Sequence, residues 1–226
     1  MSKTVCIILP TLNEEPSIGN VIEEIPRQTL NEMEYQTDIV VADGGSTDRT
    51  VQIALEKEVR VLHVPKGKGL GVRTALKEIN ADFVFMLDGD FTYPAVYIPE
   101  MLEMLQKYPV VIGSRLKGKR EEGALRRTNF IGNHLLTWLA NILYGTRISD
   151  LCTGYWGFRQ EVIKSLRLTT TGFQFEAELL TQVTKNGYKI AELPILYRSR
   201  QGTAKLGRLK DGFRIGWFLI KRRFSS

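Results

Sequence analysis

Phe83-Val84-Phe85-Met86-Leu87-Asp88-Gly89-Asp90 is the stretch on which the reading of this chain turns. Five consecutive apolar residues bounded by polar ones are too few for a buried helix and fit a strand covered on both faces, as in a parallel sheet. The run stops on two carboxylates separated by a glycine. In open α/β sheets ligands bind beyond the carboxyl ends of the strands, so an acidic pair at such an end is placed for chemistry. If Gly89 lets the backbone turn so that Asp88 and Asp90 face one cavity, two hard oxygen ligands at that spacing suit Mg²⁺ or Mn²⁺ shared with phosphate oxygens. A solvated turn in which one Asp caps the next helix is the alternative that this stretch alone leaves open.

The flanking sequence repeats the pattern. Val5 to Leu9, Asp38 to Ala42, Arg60 to His63 and Val110 to Ile112 read as further strands, alternating with helical stretches at Ser17 to Ile25, Thr50 to Lys57, Val72 to Ile79 and Tyr97 to Lys107. That alternation predicts βαβ units on a mostly parallel sheet with helices on both faces. Four strand ends carry polar clusters: Pro10-Thr11-Leu12-Asn13-Glu14, Asp43-Gly44-Gly45-Ser46-Thr47-Asp48, Asp88-Gly89-Asp90 and Gly113-Ser114-Arg115. Their coincidence on one edge favours the metal reading of the acidic pair. Lys66-Gly67-Lys68-Gly69-Leu70-Gly71 reads as a loop before a helix that could meet an anion. It lacks the Gly-Lys-Ser/Thr ending of a P-loop and the glycine spacing of a dinucleotide fingerprint.

After Ser114 a Lys/Arg/Gly loop, Leu116 to Gly123, precedes a helical stretch from Thr128 to Tyr144 that Gly145 can stop. Further helices near Gln160 to Leu166 and Phe175 to Asn186 flank a loop at Thr169 to Gly172, and a short strand follows at Ile190 to Leu193. The last stretch, Gly207 to Phe224, mixes apolar and basic residues as an interfacial helix does. In it Phe213, Trp217, Phe218 and Ile220 can enter a headgroup boundary while Lys210, Arg214 and Lys221-Arg222-Arg223 meet lipid phosphates; packing of Trp217 and Phe218 onto the domain or a second subunit is the competing reading. The expected organisation is residues 1–206 as one α/β domain (a 1–115 half and a 116–206 half), then a basic amphipathic helix at 207–226.

Composition narrows the class. The chain has 226 residues, 43% hydrophobic and 25% charged, which excludes a disordered tail, a collagen-like fibre and a disulfide scaffold. Cys6 and Cys152 alone build neither a disulfide framework nor a cysteine-rich zinc site. No signal peptide is visible, and no segment approaches the roughly 18 to 20 apolar residues of a spanning helix, so the expected location is cytoplasmic or on a membrane surface. Lys189 to Ser226 holds ten Lys and Arg against Glu192 and Asp211, so this segment carries +8 and the remainder −2 of the net +6. Charge confined to one terminal segment points to an anionic partner there rather than to nucleic acid, and the aromatic residues near Trp138 and Tyr144 read as core or interface rather than as a base-stacking platform. His63 and His134 have no neighbours suited to a nucleophilic relay.

Together these residues resemble the family 2 glycosyltransferases of GT-A fold, and within them the polyprenyl-phosphate sugar transferases related to dolichyl-phosphate mannose synthase. The resemblance runs from Ile7-Ile8-Leu9-Pro10-Thr11-Leu12-Asn13-Glu14 through Val40 to Asp48 and Asp88-Gly89-Asp90 to Arg200-Gln201-Gly202-Thr203-Ala204-Lys205-Leu206. The last segment, with Gly113-Ser114-Arg115 and Asp150-Leu151-Cys152-Thr153-Gly154, marks the lipid-phosphate subgroup. The resemblance implies inverting, metal-dependent transfer of a sugar from a nucleotide sugar to dolichyl or polyprenyl phosphate. Pro10, Leu12, Glu14 and Asp43 would line the base and ribose pocket, Asp88 and Gly89 would contact the nucleoside, and Asp90, with Asp88, would hold Mg²⁺ or Mn²⁺. Arg115, one of Arg126 and Arg127 (Arg127 favoured), Arg200 and Lys205 match positions that handle the donor diphosphate and acceptor phosphate. The mannose synthases place a metal-binding Gln two residues after the second Asp, where this chain has Thr92, and a second Asp after strand two, where it has Gly44. Both departures favour UDP-glucose or UDP-N-acetylglucosamine over GDP-mannose. The relatives often carry membrane-spanning helices; here an anionic membrane surface would be met by amphipathic helices, placing the protein on the cytoplasmic membrane face. A sugar nucleotidyltransferase and a non-catalytic nucleotide-binding membrane-surface module are the alternatives.

Overall fold

The apolar runs of the first half form four strands that pair in parallel, β1 (Lys3–Thr11), β2 (Tyr35–Asp43), β3 (Arg60–His63) and β4 (Phe83–Met86). The computed structural model describes residues 2–201 and 208–224. Three further strands, β5 (Val110–Ser114), β6 (Trp156–Arg159) and β7 (Ile190–Pro194), complete one seven-stranded sheet of order β3-β2-β1-β4-β6-β5-β7. All pairs are parallel except those of β6, which runs antiparallel between β4 and β5. Four residues around a glycine give β6 no period of its own, so sequence reading passes over it. Gly157 faces Phe85, where a Cβ would come within 2.6 Å of the ring. Because β6 is reversed, its beginning, with Gly154 just before it, lies at the carboxyl edge of β4 and β5.

Helices cover both faces. α1 (Ile18–Glu24), α2 (Arg27–Glu32), α3 (Thr50–Glu56) and α5 (Ile98–Leu105) pack on the face presented by Val5, Ile7 and Leu9 of β1. α4 (Lys68–Lys77) covers the face of Cys6 and Ile8, and α6 (Arg127–Tyr144), α7 (Gln160–Ser165), α8 (Phe175–Lys185) and α9 (Arg208–Phe224) extend that layer over β5 and β6. Successive side chains of β1 thus enter opposite cores, which is why the strand is apolar throughout. α2 buries only Leu30 and so leaves no periodic signal. α6 ends as expected on Gly145, left-handed at φ +66, whose N–H donates to the Asn141 carbonyl.

Two expectations change. The Lys66–Gly71 stretch is not a free loop: Lys68 opens α4, and Gly67, at φ +119, lies so close to the 169–172 loop that a Cβ would meet the Thr171 carbonyl at 2.6 Å. In α9 the apolar residues divide, since Phe218 packs against the domain while Trp217 is exposed. Arg222 turns inward to Glu178 at 2.8 Å, so it leaves the basic cluster expected to meet lipid.

Candidate active site

The carboxyl edge is first stitched between β1 and β2. Thr11 pairs with Asp43, and the Gly44 N–H donates to the Thr11 carbonyl at 2.9 Å. Asn13, at φ +51, donates its N–H to Ser46 Oγ and accepts the Thr47 N–H, each at 2.8 Å. Asp43 is buried and accepts the N–H groups of Gly45 and Ser46 at 3.1 Å. Asp48 ties the same loop to Glu15 and Thr50; burial raises its pKa, but these hydrogen bonds outweigh burial and hold it below the usual range. Glu14 is buried beside them, and Pro10 and Leu12 are half-buried at the same edge. Four of the expected nucleotide-contacting residues therefore lie on one stitched wall.

Beyond β4, Gly89 is required for close approach rather than for the turn. A Cβ there would lie 2.7 Å from Thr11 Cγ2, and its carbonyl accepts the buried Ser17 hydroxyl at 2.8 Å. The turn itself falls on Phe91, at φ +65, whose ring lies 4.5 Å under the Arg198 guanidinium. Asp88 pairs with Lys68 Nζ at 2.6 Å, and Lys68 also reaches Glu176 of α8 at 2.6 Å. Burial disfavours the Lys68 charge, but the two carboxylates outweigh it and raise its pKa, so it stays an ammonium. Asp90, 5% exposed, accepts the Thr92 N–H at 3.1 Å and hydroxyl at 2.6 Å, and pairs with Arg200 at 3.0 Å. Arg200 also holds Glu14 at 2.6 Å, so it joins the two walls. Burial first and the Asp88 charge second raise the pKa of Asp90, against the pull of Arg200.

This donor set fits a small divalent cation of a particular kind. Among the described residues no group of three or more His, Cys, Asp or Glu could enclose an ion. Two carboxylates whose charges disfavour one another suit Mg²⁺ or Mn²⁺ that takes its remaining oxygens from phosphate and water. Lys68 and Arg200 neutralise the pair.

Arg115 lies at this edge with its fork directed elsewhere. Nε and Nη2 donate to the two Asp150 oxygens at 2.8 and 2.7 Å, the backbone N–H adds 2.9 Å, and Tyr93 and Tyr197 pack over the guanidinium. Burial raises the Asp150 pKa, but Arg115 outweighs it and holds the group below the usual range. Asn133 of α6 completes the cluster at 2.6 Å. Arg127 is exposed at the start of α6, and Lys205 lies outside the described residues. Sequence reading missed Lys68 as a single group, with Glu176, Tyr93 and the contact of Gly154 with Asp88; the one available signal was a lysine flanked by glycines. Burial pushes the Cys6 and Cys152 thiols up to about 12, so neither is a nucleophile at neutral pH. His63 is exposed 3.9 Å from Asp43, and His134 is exposed with its ring edge-to-face on Phe130.

A mostly parallel sheet ending in an Asp-Gly-Asp pair beside Lys and Arg is the GT-A architecture of glycosyltransferases. Residues 6–167 match the model of glycosyl transferase family 2, and the chain belongs to that family. It is 36% identical over 218 residues to the dolichyl-phosphate hexose transferase of Haloferax volcanii, covering 95% of this chain and 92% of that protein. It is 33% identical over 225 residues to the low-salt glycan biosynthesis hexosyltransferase Agl6 of the same organism, with 97% of this chain matched, and spans about half (54%) of that relative's length. Its fold also matches glucosyl-3-phosphoglycerate synthase from Mycobacterium tuberculosis, solved with UDP and with Mn²⁺, UDP-glucose and phosphoglyceric acid. For both structures the TM-score is 0.75 at 22% identity, over 98% of this chain and 80% of that one.

Proposed function

We propose that this glycosyltransferase moves a hexosyl or N-acetylhexosaminyl group from a nucleotide sugar to a dolichyl or polyprenyl phosphate, inverting the anomeric carbon. The observation that carries the reading is the convergence of Asp88 and Asp90 with Lys68 and Arg200 on one sheet edge. The name of the 36% identical relative supports the lipid-phosphate acceptor. In this reading Pro10, Leu12, Glu14 and Asp43 form the base and ribose wall, Asp88 and Gly89 contact the nucleoside, and Asp88 and Asp90 hold Mg²⁺ or Mn²⁺. A bound divalent ion supplies charge neutralisation to the departing diphosphate.

The chain's own groups do the rest. Lys68 and Arg200 exchange their carboxylate partners for phosphate oxygens, and Arg127 and Lys205 receive the acceptor phosphate. Arg115, forked onto Asp150, orients the β5 end rather than touching substrate. A phosphomonoester with a second pKa of about 6 is largely dianionic at neutral pH, so its oxygen attacks the anomeric carbon without a general base as the bond to the nucleoside diphosphate breaks. Catalysis is then positioning and electrostatics, and neither histidine is needed. Thr92 is bonded to Asp90, and with Gly44 this departure from the mannose-synthase pattern favours UDP-glucose or UDP-N-acetylglucosamine over GDP-mannose. The 207–226 segment places the enzyme peripherally on the cytoplasmic membrane face; no described helix is long and apolar enough to cross a membrane.

The test is incubation with UDP- and GDP-sugars, Mn²⁺ or Mg²⁺ and a polyprenyl phosphate, followed by chromatography of the lipid phase. Lipid-linked sugar that Asp90→Ala abolishes is expected. Pyrophosphate release from UTP and a sugar 1-phosphate, without lipid-linked sugar, would instead make the chain a sugar nucleotidyltransferase. Nucleotide binding without any turnover would make it a non-catalytic membrane-surface module.

A further inference from the structure

Asp90 is followed by a residue in an uncommon backbone conformation. Four non-glycine residues among those described have positive φ, and Phe91, at +65, is the only aromatic one. A left-handed backbone at a bulky residue is strained and persists only where its neighbours over-determine it. With the chain turned at Phe91, the Asp90 carboxylate accepts both the N–H and the hydroxyl of Thr92, at 3.1 and 2.6 Å. Where that carboxylate stands therefore depends on what keeps Phe91 in place.

Arg198 does so from three sides. Its guanidinium lies over the Phe91 ring, 4.5 Å from the centroid, and its backbone N–H donates to the Thr92 carbonyl at 3.0 Å. Its Nη2 pairs with Glu24, the last residue of α1, at 2.5 Å, and both side chains are mostly buried. The second Glu24 oxygen accepts the Ala95 N–H at 2.9 Å, so one carboxylate also grips the chain beyond the turn. Arg198 Nη1 is buried and finds no hydrogen-bond partner among the described residues. The ion pair alone could be made by a lysine, without that unpaired donor. A flat cation lying over the ring is what only the guanidinium supplies.

The same residue anchors a strap, 195–201, laid between two loops of the sheet edge. On one side the N–H groups of Tyr197 and Ser199 donate to Lys119 and Glu121 beyond β5. On the other, those of Leu196 and Arg198 donate to Tyr97 and Thr92 beyond β4. Two arginines of the strap reach the two ends of α1. Arg198 takes Glu24 at its last residue, and Arg200 takes Glu14, ahead of its first, together with Asp90.

We infer that Arg198, held by Glu24, is a positioning residue for the divalent-ion site: it locks Phe91 in the left-handed conformation and so fixes where Asp90 presents its carboxylate. The inference rests on the reading of Asp88 and Asp90 as the pair that holds the ion. Arg198 touches neither ion nor donor in it, and its effect passes through Phe91 and Thr92. The clamp also sets the strap from which Arg200 reaches Asp90. One ion pair at the back of α1 thus registers both the carboxylate and the cation that neutralises it. Loss of an outer partner that orients a ligating group typically costs about 10- to 100-fold in metal affinity.

The test uses the full chain with Mn²⁺ and UDP, the free Mn²⁺ being measured by its electron paramagnetic resonance signal, so neither turnover nor acceptor is needed. Arg198→Lys keeps a charge for Glu24 but loses the plane over Phe91; Glu24→Gln keeps an acceptor for the Ala95 N–H but loses the charge. Each should weaken Mn²⁺ binding about 10- to 100-fold and raise amide exchange at Thr92 in the metal-free protein. Adding Phe91→Gly to Arg198→Lys should recover most of the affinity, because glycine adopts positive φ unaided. Arg159→Lys, which disturbs bonds to the Leu105 and Gln106 carbonyls at the opposite sheet edge, should lower the unfolding temperature and leave Mn²⁺ binding unchanged. Native Mn²⁺ affinity in Arg198→Lys and Glu24→Gln, or no recovery on adding Phe91→Gly, would overturn the inference. Equal weakening by Arg159→Lys would overturn it as well, since lost stability would then account for the effect. Failure of the unaltered chain to bind Mn²⁺ would instead refute the metal reading itself, and exchange at Thr92 would still decide whether the clamp holds the turn.

Discussion

Asp88 has neighbours that sequence proximity does not bring: Lys68 on one oxygen and Gly154 against the other. A Cβ at Gly154 would stand 2.5 Å from Asp88 Oδ2, and the yielding partner would be a carboxylate at the end of a rotatable bond rather than backbone. Gly154→Ala should therefore leave the unfolding temperature nearly unchanged while lowering kcat/KM about 10²-fold, the effect of misplacing a reacting or ligating group by about 1 Å. Unaltered kinetics would show that Asp88 does not act in its present position. Arg115 and Asp150 answer a different question. Asp150→Ala strands a buried guanidinium and should destabilise the fold by about 3–5 kcal/mol in urea titrations. Arg115→Met combined with Asp150→Leu should recover most of that, since a buried pair replaced by apolar groups of similar size is often neutral. A double variant as unstable as the single one would mean that the fork does more than satisfy its own partner.

Among the elements, α8 connects α9 to the sheet edge. Glu178 on its first turn accepts the N–H and hydroxyl groups of Thr169 and Thr170 and the Arg222 guanidinium of α9. The same loop lies over Gly67 and Gly69 at the start of α4, where Lys68 begins its reach to Asp88. Burial raises the Glu178 pKa, but the hydrogen bonds outweigh it and hold the group below its ordinary value. A carboxylate lowered in the folded state contributes stability that is present above its unfolded pKa and lost as pH falls through the folded one. Unfolding free energy should thus decline as pH falls below the ordinary range of a glutamate, and Glu178→Gln should make that decline shallower while weakening the fold at pH 7. Amide exchange in α9 and in residues 168–172 should rise together in the same variant; an unchanged slope would show that Glu178 titrates as an exposed acid.

At the scale of the whole molecule, the two walls of the cleft are joined by charges rather than by covalent continuity, because Arg200 bridges Glu14 and Asp90. A nucleoside diphosphate that replaces these contacts should stabilise the entire domain by linkage, about 2.7 kcal/mol at a hundred times its Kd, or some 5–10 °C in Tm for a chain of this size. UDP with Mn²⁺ is expected to exceed GDP, and Asp90→Asn to remove the metal-dependent part; a larger shift with GDP would reverse the donor preference. The sheet, its four polar strand ends and the Asp88-Gly89-Asp90 pair were legible in the sequence, because burial on two faces and a sudden end to an apolar run are properties of a single element. Family resemblance placed Arg200, Glu14 and Asp90 among the site residues, but not the pairing of Arg200 with both carboxylates. The insertion of β6 was not legible, since four residues around Gly157 carry no period and only the neighbours β4 and β5 hold them as a strand. The exposed stripe of α6, Ile131, Leu135, Trp138 and Ile142, was hidden for another reason: with Leu136, Leu139 and Leu143 on a second face, the helix reads as apolar nearly all round, and the sequence does not tell which face is covered. The sequence by itself thus determined the strands and helices other than β6 and α2, which strand ends carry carboxylates, and that the last helix is basic and amphipathic. Only the tertiary structure decided that Lys68 meets Glu176, that Arg115 belongs to Asp150 and which face of α6 is covered. Periodicity fixes the faces of an element, whereas strand order and packing choose what each face meets.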